Sequence, residues 1–404
     1  RDSGLPRAKS RGAAEPGIHT WIPASAGMTE DHPLVHSGRR LRQDTPAMRG
    51  RLAIDGRHFV YPDGRPFHWR GVTAFRLLDY VADGDEGKAD AFLRWARANG
   101  FNLVRVLGSL CCWFDLQPHS AQAALPRLLE MAAQRDLYVE VVALAGTRMR
   151  AFDLEQHVRA VGEICGRIEN CLVQIANEPY HPTQDPRLAR TAYLTQLAGL
   201  LPDRVVYTLG ASSSDRAHDP GGEYITRHLA RGGEPWKMAA RVRDLELLSA
   251  ETDRPVVSGE PIGAYERADV GRRSDDPALF FAFGVLGRLF DVGTTFHMED
   301  GLHAVVPRPN QQRCAEAFIE GTRLIPEDVR PEFQNATWPT SPVRSARFSR
   351  NVWKVYSAVT GSRGWTVALG LHGDPGIVWA NGWEPAGVLA EKPGIRVYAI
   401  SRRP

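Results

Sequence analysis

Long apolar runs are missing from this chain of 404 residues. No stretch approaches the roughly 18 to 20 consecutive apolar residues that a membrane-spanning helix requires. No charged segment followed by an apolar one opens the sequence in the manner of a secretory signal. Charge imbalance is missing too. Fifty basic and 47 acidic residues leave a net charge of +3, too little for the basic footprint that a nucleic-acid backbone demands. Cysteine is sparse, with five residues at 111, 112, 165, 171 and 314. Their number is odd, two are adjacent and none shows C-x-x-C spacing, so free thiols are expected. These absences together give the expectation of a cytoplasmic protein without membrane or nucleic-acid partners; they leave its oligomeric state open. Nucleotide and serine-hydrolase signatures are also lacking. Gly87-Lys88-Ala89 has neither the opening glycine nor the hydroxyl residue of a Walker motif, and Gly210-Ala-Ser-Ser-Ser214 has serine where G-x-S-x-G closes on glycine. No cofactor is expected. The sequon Asn335-Ala336-Thr337 reads as a chance tripeptide in a loop.

What is present begins with a contrast. Residues 1–48 mix Arg, Pro, Gly, Ser and His without helical or strand periodicity and are expected to be poorly ordered. Pro16-Gly-Ile-His-Thr-Trp-Ile-Pro-Ala-Ser-Ala-Gly-Met-Thr29 resembles peptides read through from interspersed repeat DNA of bacteria, which makes Met28 or Met48 a candidate start. A genuine flexible leader is the alternative. From Arg51 onward the pattern is orderly. Leu52–Gly56 and Phe59–Gly64 read as two short strands with Asp-Gly turns, a hairpin fit to plug the bottom of a barrel.

Strand and helix signals then alternate. Strands are expected at 67–75, 103–107, 137–144, 172–176, 205–209, 224–229, 255–259 and 294–297. Helices are expected at 89–98, 121–134, 154–168, 188–200, 236–248, 277–289 and 311–324. The one gap is 211–222, polar and rich in Gly and Ser. With 43% hydrophobic residues the chain can bury a large core, and eight strands separated by helices predict an α/β fold, a (β/α)8 TIM barrel, over 49–340. Residues 341–404 read as a small β-rich extension packed on the barrel, with a helix at 345–361 and strands at 365–371, 377–379 and 396–400. Trp365, Trp379 and Trp383 there suit either core packing or a sugar-stacking face.

Two carboxylates carry the chemistry. Cys171-Leu-Val-Gln-Ile-Ala-Asn-Glu-Pro-Tyr180 and Arg254-Pro-Val-Val-Ser-Gly-Glu-Pro261 each deliver a glutamate where a short apolar run gives way to proline. That position is the C-terminal end of a barrel strand, where barrel enzymes do their chemistry. Glu178 and Glu260, arriving from separate strands, suit a divided task in which one carboxyl donates a proton and the other attacks or stabilises the carbon left behind. Glycoside cleavage is the reaction that needs this pair.

Arg70-Gly-Val-Thr-Ala-Phe75, Asn99-Gly-Phe-Asn-Leu-Val-Arg-Val106, Ala176-Asn-Glu-Pro179 and Ser258-Gly-Glu-Pro261 together resemble the clan of retaining glycoside hydrolases built on (β/α)8 barrels, the cellulase and mannanase type in particular. The resemblance spans roughly residues 51 to 323. It implies that Glu178 is the acid/base, Glu260 the nucleophile, Asn177 a contact to the sugar 2-hydroxyl, and Arg105 a positive group beneath the nucleophile. It implies a carbohydrate partner and hydrolysis by double displacement. Several positions depart from the clan. His228-Leu229-Ala230 stands where relatives carry His-x-Tyr, so the tyrosine that holds the nucleophile is missing, with Tyr265 a possible substitute. His297 replaces the customary tryptophan platform near the eighth strand, and Leu144-Ala-Gly146 lacks the usual histidine. Trp113 and Trp236 are candidates to stack on sugar or to pack their own loops.

Two other readings compete. His228, His297, Glu178 and Glu260 are a conceivable metal-hydrolase set, although neither His-x-His on the first strand nor HExxH appears. A carbohydrate-binding barrel that no longer catalyses is the second, motivated by the missing tyrosine.

Overall fold

The barrel is built from eight short parallel strands. In the computed structural model, which describes residues 50–403 apart from 112, 211, 214–220, 232–234, 267–272, 335–340 and 347–351, these are β1 (Arg70–Thr73), β2 (Leu103–Leu107), β3 (Tyr138–Leu144), β4 (Cys171–Ala176), β5 (Tyr207–Gly210), β6 (Ile225–His228), β7 (Val256–Ser258) and β8 (Gly293–Phe296). Each pairs with the next except β5 with β6, and β8 pairs in parallel with β1, so the sheet curls back on itself. The β5–β6 seam is bridged by the chain itself: Ser212–Ser213 pairs in parallel with the end of β6, and Thr208 meets Gly222. All eight expected strands are present, shifted by a residue or a few at their ends. The strands are almost wholly buried, because both faces are covered, one by the barrel interior and one by helices.

Helices flank them: α1 (Leu77–Ala82), α2 (Glu86–Asn99), α3 (Pro118–Ala133), α4 (Leu154–Arg167), α5 (Thr191–Ala198), α6 (Pro235–Ala240), α7 (Val242–Thr252), α8 (Pro277–Phe290), α9 (Glu299–Leu302) and α10 (Pro309–Thr322). Caps set their starts. Asp153 accepts the Gln156 amide at 2.9 Å before α4, and Asp276 accepts the Ala278 amide at 2.9 Å before α8. Helix α8 is apolar except for Arg288 and is buried from Ala278 to Phe290. One side meets α10, where Gly284 and Gly321 let the two backbones approach so closely that a Cβ on either would strike a carbonyl of the other helix.

The hairpin closes the bottom. Ala53–Asp55 and His58–Val60 pair antiparallel, and Phe59 packs its ring 5.2 Å from Trp69 and 5.3 Å from Tyr224. With Leu103, Tyr138, Leu172 and Val257 from the strand beginnings, these rings seal the N-terminal end of the barrel. The other end is left for chemistry.

The C-terminal region differs from expectation. Strands β9 (Glu332–Gln334), β10 (Lys354–Thr360), β11 (Arg363–Leu369), β12 (Trp383–Lys392) and β13 (Ile395–Arg402) form one antiparallel sheet in the order β9-β10-β11-β13-β12. The expected helix at 345–361 is therefore a correction. Lys354-Val-Tyr-Ser-Ala-Val-Thr360 pairs residue by residue with β11 through a turn in which Gly361 takes a φ of 56°. Its β-branched residues suit a pleated surface better than a helix. The sheet also begins at Glu332, ahead of residue 341. Trp365 and Trp383 are buried in this region, while Trp379 is half-buried edge-on to Tyr398.

The expectation of free thiols is corrected at two positions. Cys165 and Cys171 form a disulfide, because α4 turns directly into β4 and brings their Cα atoms to 5.2 Å, within bridging range. Cys111 and Cys314 are free thiols. Cys112, residues 1–48, the sequon and the Ala211 and Ser214 positions of the near-miss serine motif lie outside the described residues.

Candidate active site

Arg105 organises the open end of the barrel. It lies on β2 and is completely buried, a state that a guanidinium tolerates only with compensating charge and hydrogen bonds. Its Nη1 donates to Glu260 Oε1 at 2.8 Å, its Nη2 to Asn177 Oδ1 at 2.8 Å and to Gln174 Oε1 at 3.1 Å, and its Nε stands 3.2 Å from Glu140 Oε2. The sheet register places Glu140 directly beside Arg105 on β3. Tyr224 donates its hydroxyl to the other Glu140 oxygen at 2.7 Å. Burial pushes Glu140 toward its protonated form, and the charge of Arg105 opposes that push.

The two predicted glutamates come together here. Glu260 follows β7 and is buried; Glu178 follows β4, and its side chain is 44% exposed. His228, the last residue of β6, stands between them, with Nδ1 3.2 Å from Glu178 Oε1 and Nε2 3.8 Å from Glu260 Oε1. A carboxylate only accepts, so Nδ1 carries the hydrogen of the shorter contact. These two oxygens are thus no farther apart than the width of one ring and its two contacts. Glu178 itself has a φ of 42°, in the left-handed region that non-glycine residues occupy at a cost of about 1–3 kcal/mol where the surroundings enforce it. Backbone hydrogen bonds on both sides hold it, the Asn177 amide to the Leu144 carbonyl at 2.9 Å and the His181 amide to the Glu178 carbonyl at 2.8 Å.

The two carboxyls titrate in a shared field. Burial raises the proton affinity of Glu260, yet the charges of His228, Arg105, His297 and Arg231 overwhelm that effect and hold it far below the ordinary carboxylate range. Burial also raises Glu178, but the hydrogen bond and charge of His228 outweigh it, leaving this carboxyl below its ordinary value. His297 is pushed down to about 3 by burial, with Arg231 adding to the effect, and is therefore neutral above that pH.

The remaining predicted residues divide. His297 is buried beside this cluster, with Nδ1 2.9 Å from Thr73 Oγ1. Tyr265 is in the same wall, since a Cβ at Gly263 would meet both the Tyr265 and the His297 rings. Trp113 is 57% exposed at the turn of a small two-stranded excursion after β2, free to meet a ligand. Trp236 is placed elsewhere. Its indole packs at the start of α6 against Gly394 and Gly370 of the C-terminal region. The aromatic pattern around it does not distinguish the two uses.

Sequence reasoning missed four residues. Glu140 and Gln174 were visible as polar interruptions of apolar strands, the one in Tyr138–Leu144 and the other in Cys171–Ala176. Tyr224 reads as an ordinary core aromatic. Arg231 sits in a loop with no motif around it, yet its Nη2 stands 3.3 Å from Glu260 Oε2, so the nucleophile candidate has a guanidinium on each oxygen. Among the described residues, no group of three or more His, Cys, Asp and Glu side chains is arranged to hold a metal ion.

No protein-family profile matches the chain, and no curated protein matches it in sequence. Solved structures do match in shape. A glycoside hydrolase superposes over 88% of this chain and 97% of its own, with a TM-score of 0.60 at 13% identity. A family 5 glycoside hydrolase from Bacteroides vulgatus covers 88% and 93%, with a TM-score of 0.58 at 14% identity. A β-glucanase from Saccharophagus degradans, solved in complex with cellotetraose, covers 71% and 98%, with a TM-score of 0.51 at 12% identity. At these identities the likeness is one of fold.

Proposed function

We propose that the chain is a retaining β-glycoside hydrolase that acts through a glycosyl-enzyme on Glu260. The observation that carries this reading is the placement of one imidazole between two carboxylates at matching strand ends, with the deeper carboxylate held ionised by Arg105. The fold-level likeness to several named glycoside hydrolases supports it.

Each residue then has a task. Glu178 and His228 hold a proton between them, and Glu178 delivers it to the glycosidic oxygen, which without protonation is a poor leaving group. As that bond breaks, Glu260 attacks the anomeric carbon and becomes an ester. Its charge is gone, so nothing in Glu260 opposes ionisation of Glu178, which now takes a proton from water. That water attacks the same carbon, the ester bond breaks and Glu260 regains its charge. Asn177, its side-chain oxygen engaged by Arg105, offers its NH2 to a sugar hydroxyl. Two inversions give net retention.

A role-swap experiment tests the assignment. Glu178→Ala should still release an activated nitrophenol, which needs no proton, and then stall until azide substitutes for the missing base. Glu260→Ala should form no covalent intermediate. On unactivated glycosides the Glu178 substitution should cost roughly 10² to 10⁴ in rate. Near-normal turnover by Glu260→Ala, or a glycosyl azide of retained configuration from that variant, would reject the assignment.

A further inference from the structure

The second oxygen of Glu260 is the feature that the reading above leaves unexplained. Arg105 holds Oε1 from beneath and is wholly buried, a fixed part of the barrel floor. Arg231 reaches Oε2 at 3.3 Å and the Glu260 backbone carbonyl at 3.4 Å from the loop just after β6, and its side chain is 32% exposed. It approaches from the solvent side, three residues beyond His228, in the stretch where the expected tyrosine is missing.

We propose that Arg231 is a positioning residue that grips the second oxygen of Glu260 and sets how readily this carboxylate leaves the glycosyl-enzyme, an inference that rests on Glu260 being the nucleophile. A tyrosine would offer one neutral hydrogen bond. A guanidinium offers a full charge, and charge-assisted hydrogen bonds are roughly twice as strong as neutral ones. The difference falls unequally on the two chemical steps. In the first, the electron pair of a Glu260 oxygen moves to the anomeric carbon, the aglycone oxygen leaves with the proton from Glu178, and the carboxylate becomes a neutral ester. Arg231 loses its ionic partner in that step and so restrains it. In the second, water attacks, the ester bond breaks, and its electron pair returns to Glu260 beside the waiting guanidinium. Arg231 favours that departure. The neighbours that also face Glu260 are Arg105 from β2, His228 from β6, His297 from β8, Glu178 from the loop after β4 and, more remotely, Glu140 from β3. His297, pushed down to about 3, is neutral over the working range, where Arg105, Arg231 and the His228–Glu178 pair set the balance.

The test compares Arg231→Gln, which keeps a donor without charge, with Arg231→Lys, which keeps the charge. Removing one of the cations that surround a carboxylate should raise its titration by about one pH unit. The acid limb of kcat/KM on an activated aryl glycoside, remote in the wild type, should move toward the working range by that amount in R231Q, and R231K should restore most of it. Deglycosylation should slow relative to glycosylation by up to about tenfold for each unit gained in leaving-group basicity, read as a larger nitrophenol burst in R231Q. The Glu260 carboxyl, followed by carbon-detected NMR across pH, reports the same shift without turnover. A wild-type protein that cleaves no glycoside overturns the glycosidase reading. A Glu260 titration that is the same in R231Q and wild type overturns the Arg231 inference whatever the activity, as does an unchanged burst in an active R231Q enzyme.

Discussion

Glu260 and Glu178 are two carboxyls of one site whose surroundings differ, and the difference predicts a pH profile. Both sit below the ordinary carboxylate value, Glu260 by the wider margin because several cations surround it. Glu260 is therefore ionised throughout the working range, and the acid limb should be remote. Glu178 must be protonated to act, and its lowered value means that the acid form is lost early as pH rises. We expect an acidic optimum on unactivated glycosides, with an alkaline limb that vanishes when the leaving group is an acidic phenol needing no proton. Profiles of kcat/KM on the two substrate types decide this. An identical alkaline limb on both would remove Glu178 from the proton-transfer role. These two glutamates were legible because each ends an apolar run before proline. Arg231 was not, because its contact depends on the path of a loop, which local pattern does not encode. Glu140 was legible only as a charge inside an apolar strand, and its meaning needed the β2–β3 register.

Elements explain a second charged cluster, at the bottom of the barrel. Asp291, in the left-handed conformation after α8, stands 2.9 Å from His58 Nδ1 of the hairpin, 3.3 Å from His68 Nδ1 and 3.6 Å from Arg288 Nη1. The cluster ties the hairpin to α8 and β8. Burial raises the affinity of Asp291 for a proton, but the hydrogen bonds from His58 and His68 and the nearby charges more than reverse this and hold it well below the ordinary range. Its contribution is thus complete above the unfolded value near ~3.9 and is lost as pH falls through the lower folded value. Asp291→Asn should cost roughly 3–5 kcal/mol at neutral pH by leaving the buried Arg288 guanidinium without its carboxylate. The gap in Tm from wild type should narrow below about pH 4. A gap that widens in acid would contradict the account. The eight strands were legible from short apolar runs because a barrel buries both faces of each strand. Lys354–Thr360 reads as helix in the sequence because its run is short and its pairing with β11 and β9 is a tertiary effect. Helix α1 escaped notice at six residues.

At the scale of the molecule, α8 joins barrel and C-terminal sheet into one core. Phe290 packs its ring 4.9 Å from Phe333 of β9 and 5.2 Å from Tyr356 of β10, and Lys392 of β12 pairs with Glu320 of α10 at 2.8 Å. A helix whose residues are apolar but for Arg288 would expose a large patch if stripped of that cover. Ending the chain at residue 330 should therefore give an aggregating product rather than a stable barrel, checked by light scattering and calorimetry; a soluble monomer with a cooperative transition would show that the sheet is dispensable. The central claim is that Glu260 becomes covalently attached to sugar, and trapping tests it most directly. The protein is incubated with dinitrophenyl 2-deoxy-2-fluoro-β-glycosides of several configurations, digested and mapped by mass spectrometry. The account predicts one sugar per chain for the configuration that fits, on the peptide containing Glu260 and absent from Glu260→Ala. Labelling at another residue, or release of the inverted anomer without any adduct, would contradict it.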